Sequence, residues 1–143
     1  MARGYAPVFG GLDARFSLLF VRDLADAVVR WILAEETPTG IFEPDDGREG
    51  GYDWPAIAGV VADLTGRPVR PVKLPVGLLS LPAALNYAAG RVTGFAPMLT
   101  PGKLRELRHD DWVCQRDGLN AAIGWQPGHD LRAGLLETPG WRR

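Results

Sequence analysis

The side chains able to shuttle protons, attack a carbonyl or hold an ion are few and scattered. The two histidines lie in polar stretches, His109 beside Asp110 and Asp111 and His129 beside Asp130. A metal centre needs ligands that converge on one ion. Adjacent residues rarely do so, and no helical i, i+4 pair of ligands accompanies either histidine, so a solvated turn is the expectation for both. No nucleophile, base and orienting acid fall into a recognisable triad. Cys114, the single cysteine, sits in the apolar run Trp112-Val113-Cys114, where inert packing is expected over thiolate chemistry. Lys103, Arg105 and Arg108 form a basic cluster suited to an anionic group, but Glu106, Asp110 and Asp111 offset it, and an ordinary charged helix face has the same composition. The loop from Asp45 to Gly51 is rich in Gly and Asp, as a ligand loop or a plain surface turn would be.

These residues must be positioned by elements that the periodicity locates. Met1 to Ala14 reads as an entering loop, and Phe16-Ser17-Leu18-Leu19-Phe20-Val21 as a short strand. Asp23 then has the chemistry of an N-cap, and Leu24, Ala27, Val28, Trp31 and Ile32 place an apolar stripe on a helix. Thr37 to Gly40 breaks it before a second brief strand, Ile41-Phe42-Glu43-Pro44. A helical connection between short apolar strands predicts that the two are parallel. A helix follows from Asp53, with Pro55 in its first turn and Gly66 and Pro68 at its end. Val69 to Leu74 contains Pro71 and is confined to a sheet edge. Pro82 should start or kink a helix through Leu85, Ala88 and Ala89, burying Tyr87 on its Ala-rich side. Thr100-Pro101 opens a short helix, Trp112 to Cys114 is a small strand, Asp117 to Ile123 is a helix closed by Gly124, and Asp130 caps a last one.

Several of these elements carry a family resemblance in their order. Phe16-Ser17-Leu18-Leu19-Phe20-Val21-Arg22-Asp23-Leu24-Ala25 is similar to a strand-to-helix junction written H-V-D-D-L-A, with Phe20 in place of the His and Arg22 in place of the first Asp. Gly40-Ile41-Phe42-Glu43-Pro44 is similar to G-x-Y/F-N. Leu99 to Leu107 with Asp111 to Cys114 looks like a pre-terminal helix and strand, Ile123-Gly124-Trp125-Gln126-Pro127 matches L-G-W-x-P, and Gly134 to Trp141 matches G-L-x-x-T-x-x-W, with Arg142 where a Tyr is usual. Together they resemble the carboxy-terminal, substrate-side half of the NAD(P)-dependent epimerase/dehydratase family, the extended short-chain dehydrogenase/reductases.

The resemblance implies an α/β fold: a partial Rossmann-type strand-helix-strand unit plus a small helical substrate-binding subdomain with short strands, in one piece spanning residues 1 to 143. It implies a role on a sugar-nucleotide, lipid or other small carbonyl or hydroxyl substrate, with NAD or NADP held by an amino-terminal cofactor domain outside these residues. Substrate contacts are then expected from Arg15, one residue out of register with a family arginine, and from Lys103 and Arg108. The family's own chemistry needs a glycine-rich turn at a helix N-terminus for the pyrophosphate, and a Tyr with a Lys four residues on. No G-x-G-x-x-G or G-x-x-G-x-x-G occurs, and Tyr5, Tyr52 and Tyr87 are followed at that spacing by Phe9, Ala56 and Arg91. A guanidinium stays charged and cannot take the lysine's part in proton relay, so neither catalysis nor tight dinucleotide binding is expected of this chain alone. Its expected partners are the amino-terminal half or a second copy, through an uncovered sheet edge and the helix stripe from Leu24 to Leu33. The alternative is a non-catalytic module that binds a small molecule or a partner chain through Leu78 to Leu85.

Composition narrows the classes further. A formal net charge of -1 supplies no field for nucleic acid or an anionic membrane, and no apolar run reaches the length of a membrane span. A lone cysteine rules out an internal disulfide, which fits a cytoplasmic location.

Overall fold

The computed structural model describes residues 4–107, 109–115 and 118–141. Among the described residues four strands and six helices follow one another: β1 Tyr5–Phe9, β2 Arg15–Phe16, α1 Val21–Leu33, α2 Trp54–Thr65, β3 Arg70–Leu74, α3 Ser80–Thr93, α4 Pro101–Glu106, β4 Asp111–Trp112, α5 Leu119–Ile123 and α6 Leu131–Glu137. A 3-10 turn, Val76–Leu79, leads into α3. This is a small mixed α/β domain with parallel strands. Among the described residues no helix is long and apolar enough to cross a membrane.

The strands form two separate pairs, β1 with β3 and β2 with β4, both parallel. No continuous Rossmann-type sheet joins them, which corrects the expected strand-helix-strand unit. The segment from Ile41 to Pro44 forms no strand, and Ile41 is 85% exposed. With no neighbour to complete its backbone hydrogen bonds, a short apolar run does not become a strand on its own account. The expected strand from Phe16 to Val21 is shorter as well. The strand ends at Phe16, with one more bond from the Ser17 N–H to the carbonyl of Trp112; Phe20 is extended, and Val21 already belongs to α1. Asp23 is therefore not the N-cap of α1. That place is held by Phe20, without a side-chain bond, and Asp23 lies buried in the first turn.

A strand was hidden in the glycine-rich entry. β1 alternates, with Ala6 and Val8 buried and Tyr5 exposed, and runs in register with β3 from Tyr5 opposite Arg70 to Phe9 opposite Leu74. Small and proline residues gave this stretch little apolar contrast, although its period of two is intact. β3 is an edge as Pro71 requires, and Pro71 stands opposite Ala6.

Local capping chemistry fixes the helices. Asp53, Thr100 and Asp130 accept from the backbone N–H groups of Ala56, Lys103 and Ala133, at the starts of α2, α4 and α6. Gly66 and Gly124 close α2 and α5 in the left-handed conformation. α3 begins at Ser80 with Pro82 in its first turn. Asp117, the expected start of α5, lies outside the described residues, and Gly118 caps that helix. β4 runs from Asp111 to Trp112, so it begins one residue before the expected strand and ends two residues short of Cys114.

α2 packs against both β3 and α6, and Val8, Tyr52, Ala58, Val61 and Trp125 are among the buried apolar residues. This packing leaves much apolar surface open. Val21, Leu24, Val28, Val29, Trp31, Ile32 and Leu33 are all exposed on α1, whose buried residues are Asp23 and Ala27.

Candidate functional site

Around Asp23 the chain gathers a polar cluster from segments far apart in sequence. Asp23 is only 6% exposed. One of its oxygens accepts from the backbone N–H groups of Gly128 and His129, and the other meets the His129 ring at Nδ1, 2.7 Å away. Across the ring, His129 Nε2 lies 3.2 Å from Glu137 on α6. The second oxygen of Glu137 pairs with Arg22, so the sequence Arg22, Glu137, His129, Asp23 begins and ends on the first turn of α1. Phe20 packs against the imidazole with ring centroids 4.8 Å apart.

A histidine oriented by an aspartate is the core of many nucleophilic sites, where the second ring nitrogen must face a nucleophile or substrate. Here a second carboxylate occupies that position. Both nitrogens of His129 are committed, so the ring ties α1 to the last helix and presents nothing to a substrate. Among the described residues no group of three His, Cys, Asp or Glu side chains is placed to hold a metal ion.

The His129 pKa is raised above its ordinary 6.5, chiefly by the hydrogen bond to Asp23, against an opposing effect of burial and with a lesser contribution from the hydrogen bond to Glu137. A raised value means that the folded protein binds the proton more tightly than the unfolded chain. The resulting stability is fully present below pH 6.5 and is lost as pH rises through the folded-state value. Thermal unfolding followed from pH 5.5 upward should show that decline, about one unit either side of the folded pKa, and His129→Gln should remove it.

A second knot lies beside the first. Ser17 donates to Asp45 and accepts from the backbone N–H of Cys114, tying the ends of β2 and β4 to the 45–51 loop. The Tyr52 hydroxyl donates to Asp46 and accepts from the N–H of Leu131, while the Arg48 guanidinium lies 4.5 Å from the centre of the Tyr52 ring. Burial, and then the bond to Asp46, push the Tyr52 phenol up to about 12. A raised phenol contributes stability that is intact below pH 10 and lost as pH climbs towards 12. Ultraviolet titration of the phenols should find one that ionises last, near pH 12, and Tyr52→Phe should delete that step.

Two of the residues expected to meet a substrate are held in surface ion pairs. Arg15 on β2 pairs with Asp111 on β4 at 2.7 Å, and Lys103 on α4 pairs with Glu106 one turn along. Both pairs are open to solvent and contribute about 0–1 kcal/mol each. Arg108 lies outside the described residues. Tyr87 is 46% exposed, which corrects its expected place on the buried side of α3; that side belongs to Ala83 and Gly90. Cys114 is a half-buried free thiol beyond the end of β4. His109 is exposed and rests edge-on against Trp112. The Asp23 and His129 pairing was invisible in the sequence, where its partners stand 106 residues apart. The one available signal was Asp23 itself, an acid between a first apolar turn and a helix stripe.

No protein-family model matches this chain, and none of the curated proteins matches it.

Proposed function

We propose that the chain is the substrate-binding half of an NAD(P)-dependent epimerase, dehydratase or reductase of the extended short-chain type, acting on a small carbonyl or hydroxyl compound and inactive by itself. The observation that carries this reading is the outer face of α1. Leu24, Val28 and Ile32 repeat at helical spacing on that face with Trp31 beside them, and among the described residues all four keep a large share of their surface exposed. The buried side of the same helix is held in place by Asp23. A helix so firmly anchored on one side and so apolar on the other is built to lie against another layer. In the proposed assembly that layer is the parallel sheet of a dinucleotide-binding half, carrying the glycine-rich turn and the Tyr/Lys pair. Arg15 and Lys103 would exchange their surface carboxylates for a substrate anion.

The isolated chain is then expected to self-associate in sedimentation and to bind an apolar dye. Replacing Leu24, Val28 and Ile32 with glutamine should abolish both while the circular dichroism stays unchanged. NADPH should give no saturable heat on titration. A monomer that binds no dye, or dinucleotide turnover by the chain alone, would sink the proposal.

The exposed row Leu78, Leu81 and Leu85 favours a second reading, a protein-interaction module with no nicotinamide requirement. Substitutions in that row, and not in α1, would then abolish association.

A further inference from the structure

α3 is seated on the domain by its smallest residues and turns its large ones to solvent. Ala83 and Gly90 are buried, while Leu81, Leu85, Ala88 and Val92, spaced along the opposite side, are all exposed, Val92 by 87%. The inner side is fixed. A Cβ at Gly90 would stand 2.6 Å from the carbonyl oxygen of Phe95, and Asn86 donates to the carbonyl of Leu99, so the loop after the helix is held against it. Phe95 and Met98 on that loop stay exposed all the same, as does Leu78 in the 3-10 turn ahead of the helix. A helix of a soluble domain turns its apolar stripe inward, and a large apolar surface turned outward marks an interaction site.

Charge selects what covers this face. The stretch from Leu64 to Arg105 contains none of the chain's seventeen acidic residues and six of its sixteen basic ones, Arg67, Arg70, Lys73, Arg91, Lys103 and Arg105. All six are exposed, and only Lys103 is offset by a neighbouring carboxylate, that of Glu106. The near-zero charge of the whole chain conceals this segregation. Arg91 borders the apolar row on α3 itself, Lys73 lies near the end of β3 just ahead of the 3-10 turn, and Arg105 is on α4, which packs against α3. An apolar surface with a basic border and no acid is complementary to an anionic lipid surface, in which acyl chains take up the leucines and headgroups meet the cations. With its 14 residues α3 is about 21 Å long, short of the roughly 30 Å hydrocarbon core, so it would lie in the interface and not span it.

We infer that the outer face of α3, with Leu78, Phe95 and Met98 beside it, rests in the surface of an anionic lipid bilayer. The inference goes beyond the epimerase reading, which concerns α1, and stands or falls apart from it.

The test uses the full chain with Leu24, Val28 and Ile32 replaced by glutamine, so that the α1 face does not contribute. Vesicles of phosphatidylcholine with about one-third phosphatidylglycerol should carry this chain into the pellet on sedimentation, vesicles of phosphatidylcholine alone should hold it about tenfold more weakly, and added salt should release it. Leu81→Gln together with Leu85→Gln, both at exposed positions, should abolish binding with the circular dichroism unchanged. Arg91→Gln should weaken it about fivefold, the factor that one basic residue contributes near an anionic surface. Should the leucine variant misfold, Arg91→Gln and the lipid dependence carry the test. Equal binding to the two kinds of vesicle, binding that survives loss of the leucines, or no binding at all overturns the inference. So does a dimer, formed without vesicles, that the leucine variant dissociates, because a second copy then covers the face.

Discussion

Asp23→Ala is expected to lower the unfolding free energy by about 3 kcal/mol, a large share of the roughly 5–15 kcal/mol that a domain has to lose. Three donors converge on this one buried carboxylate: the N–H groups of Gly128 and His129 and the His129 ring. Alanine leaves all of them unanswered, in a place where water reaches poorly. It also leaves Glu137 as the only partner of the imidazole. Urea unfolding of the variant should give the reduced free energy with an unchanged slope, because the surface exposed on unfolding hardly alters. Asp23→Asn keeps one acceptor oxygen and should fall between. The pH dependence attributed to His129 should also flatten in Asp23→Ala, since its largest cause has gone. A loss below about 0.5 kcal/mol, the range of ordinary surface substitutions, would mean that the cluster ties nothing together.

The contrast between Asp23 and Asp53 shows what the sequence alone can tell. Both are acids ahead of an apolar stripe, and both looked like N-caps. Asp53 is one, because its acceptor work is finished three residues away at Ala56. Asp23 spends its oxygens on residues 105 and 106 positions distant, and no local rule contains that information. The same boundary separates the helices from the strands. Thr100, Asp130, Gly66 and Gly124 act on their own turns, so α2, α4, α5 and α6 were legible in outline. β1 was not, because its partner β3 lies across all of α1 and α2. The strand expected at Ile41 erred in the opposite direction: it had suitable residues and no neighbouring strand. Of the polar clusters, the sequence exposed the surface cations and concealed the buried acceptors. The burial of a carboxylate is decided by what folds over it.

Gly51→Ala should prove nearly as damaging, at about 3 kcal/mol, for a reason unrelated to charge. Gly51 is buried with φ at +67°, and a Cβ there would stand 2.8 Å from the carbonyl oxygen of Phe16 and 3.1 Å from Val113. That oxygen cannot retreat. It accepts from the N–H of Tyr52 at 2.9 Å, while the N–H of Phe16 donates to the carbonyl of Tyr52, and these two bonds fasten the 45–51 loop to β2. Gly50 provides the control: its φ is +71°, but the nearest atom to an added Cβ is the mobile end of Arg15 at 4.0 Å. Gly50→Ala should therefore cost only the backbone strain, about 1 kcal/mol. The difference between the two variants measures the close approach itself. Loosening that bridge frees Tyr52 from Asp46 and Leu131, so the late phenol in the ultraviolet titration should shift towards pH 10 in Gly51→Ala and stay near 12 in Gly50→Ala. Stability and titration should change together, because the same two backbone bonds hold the loop and place the tyrosine.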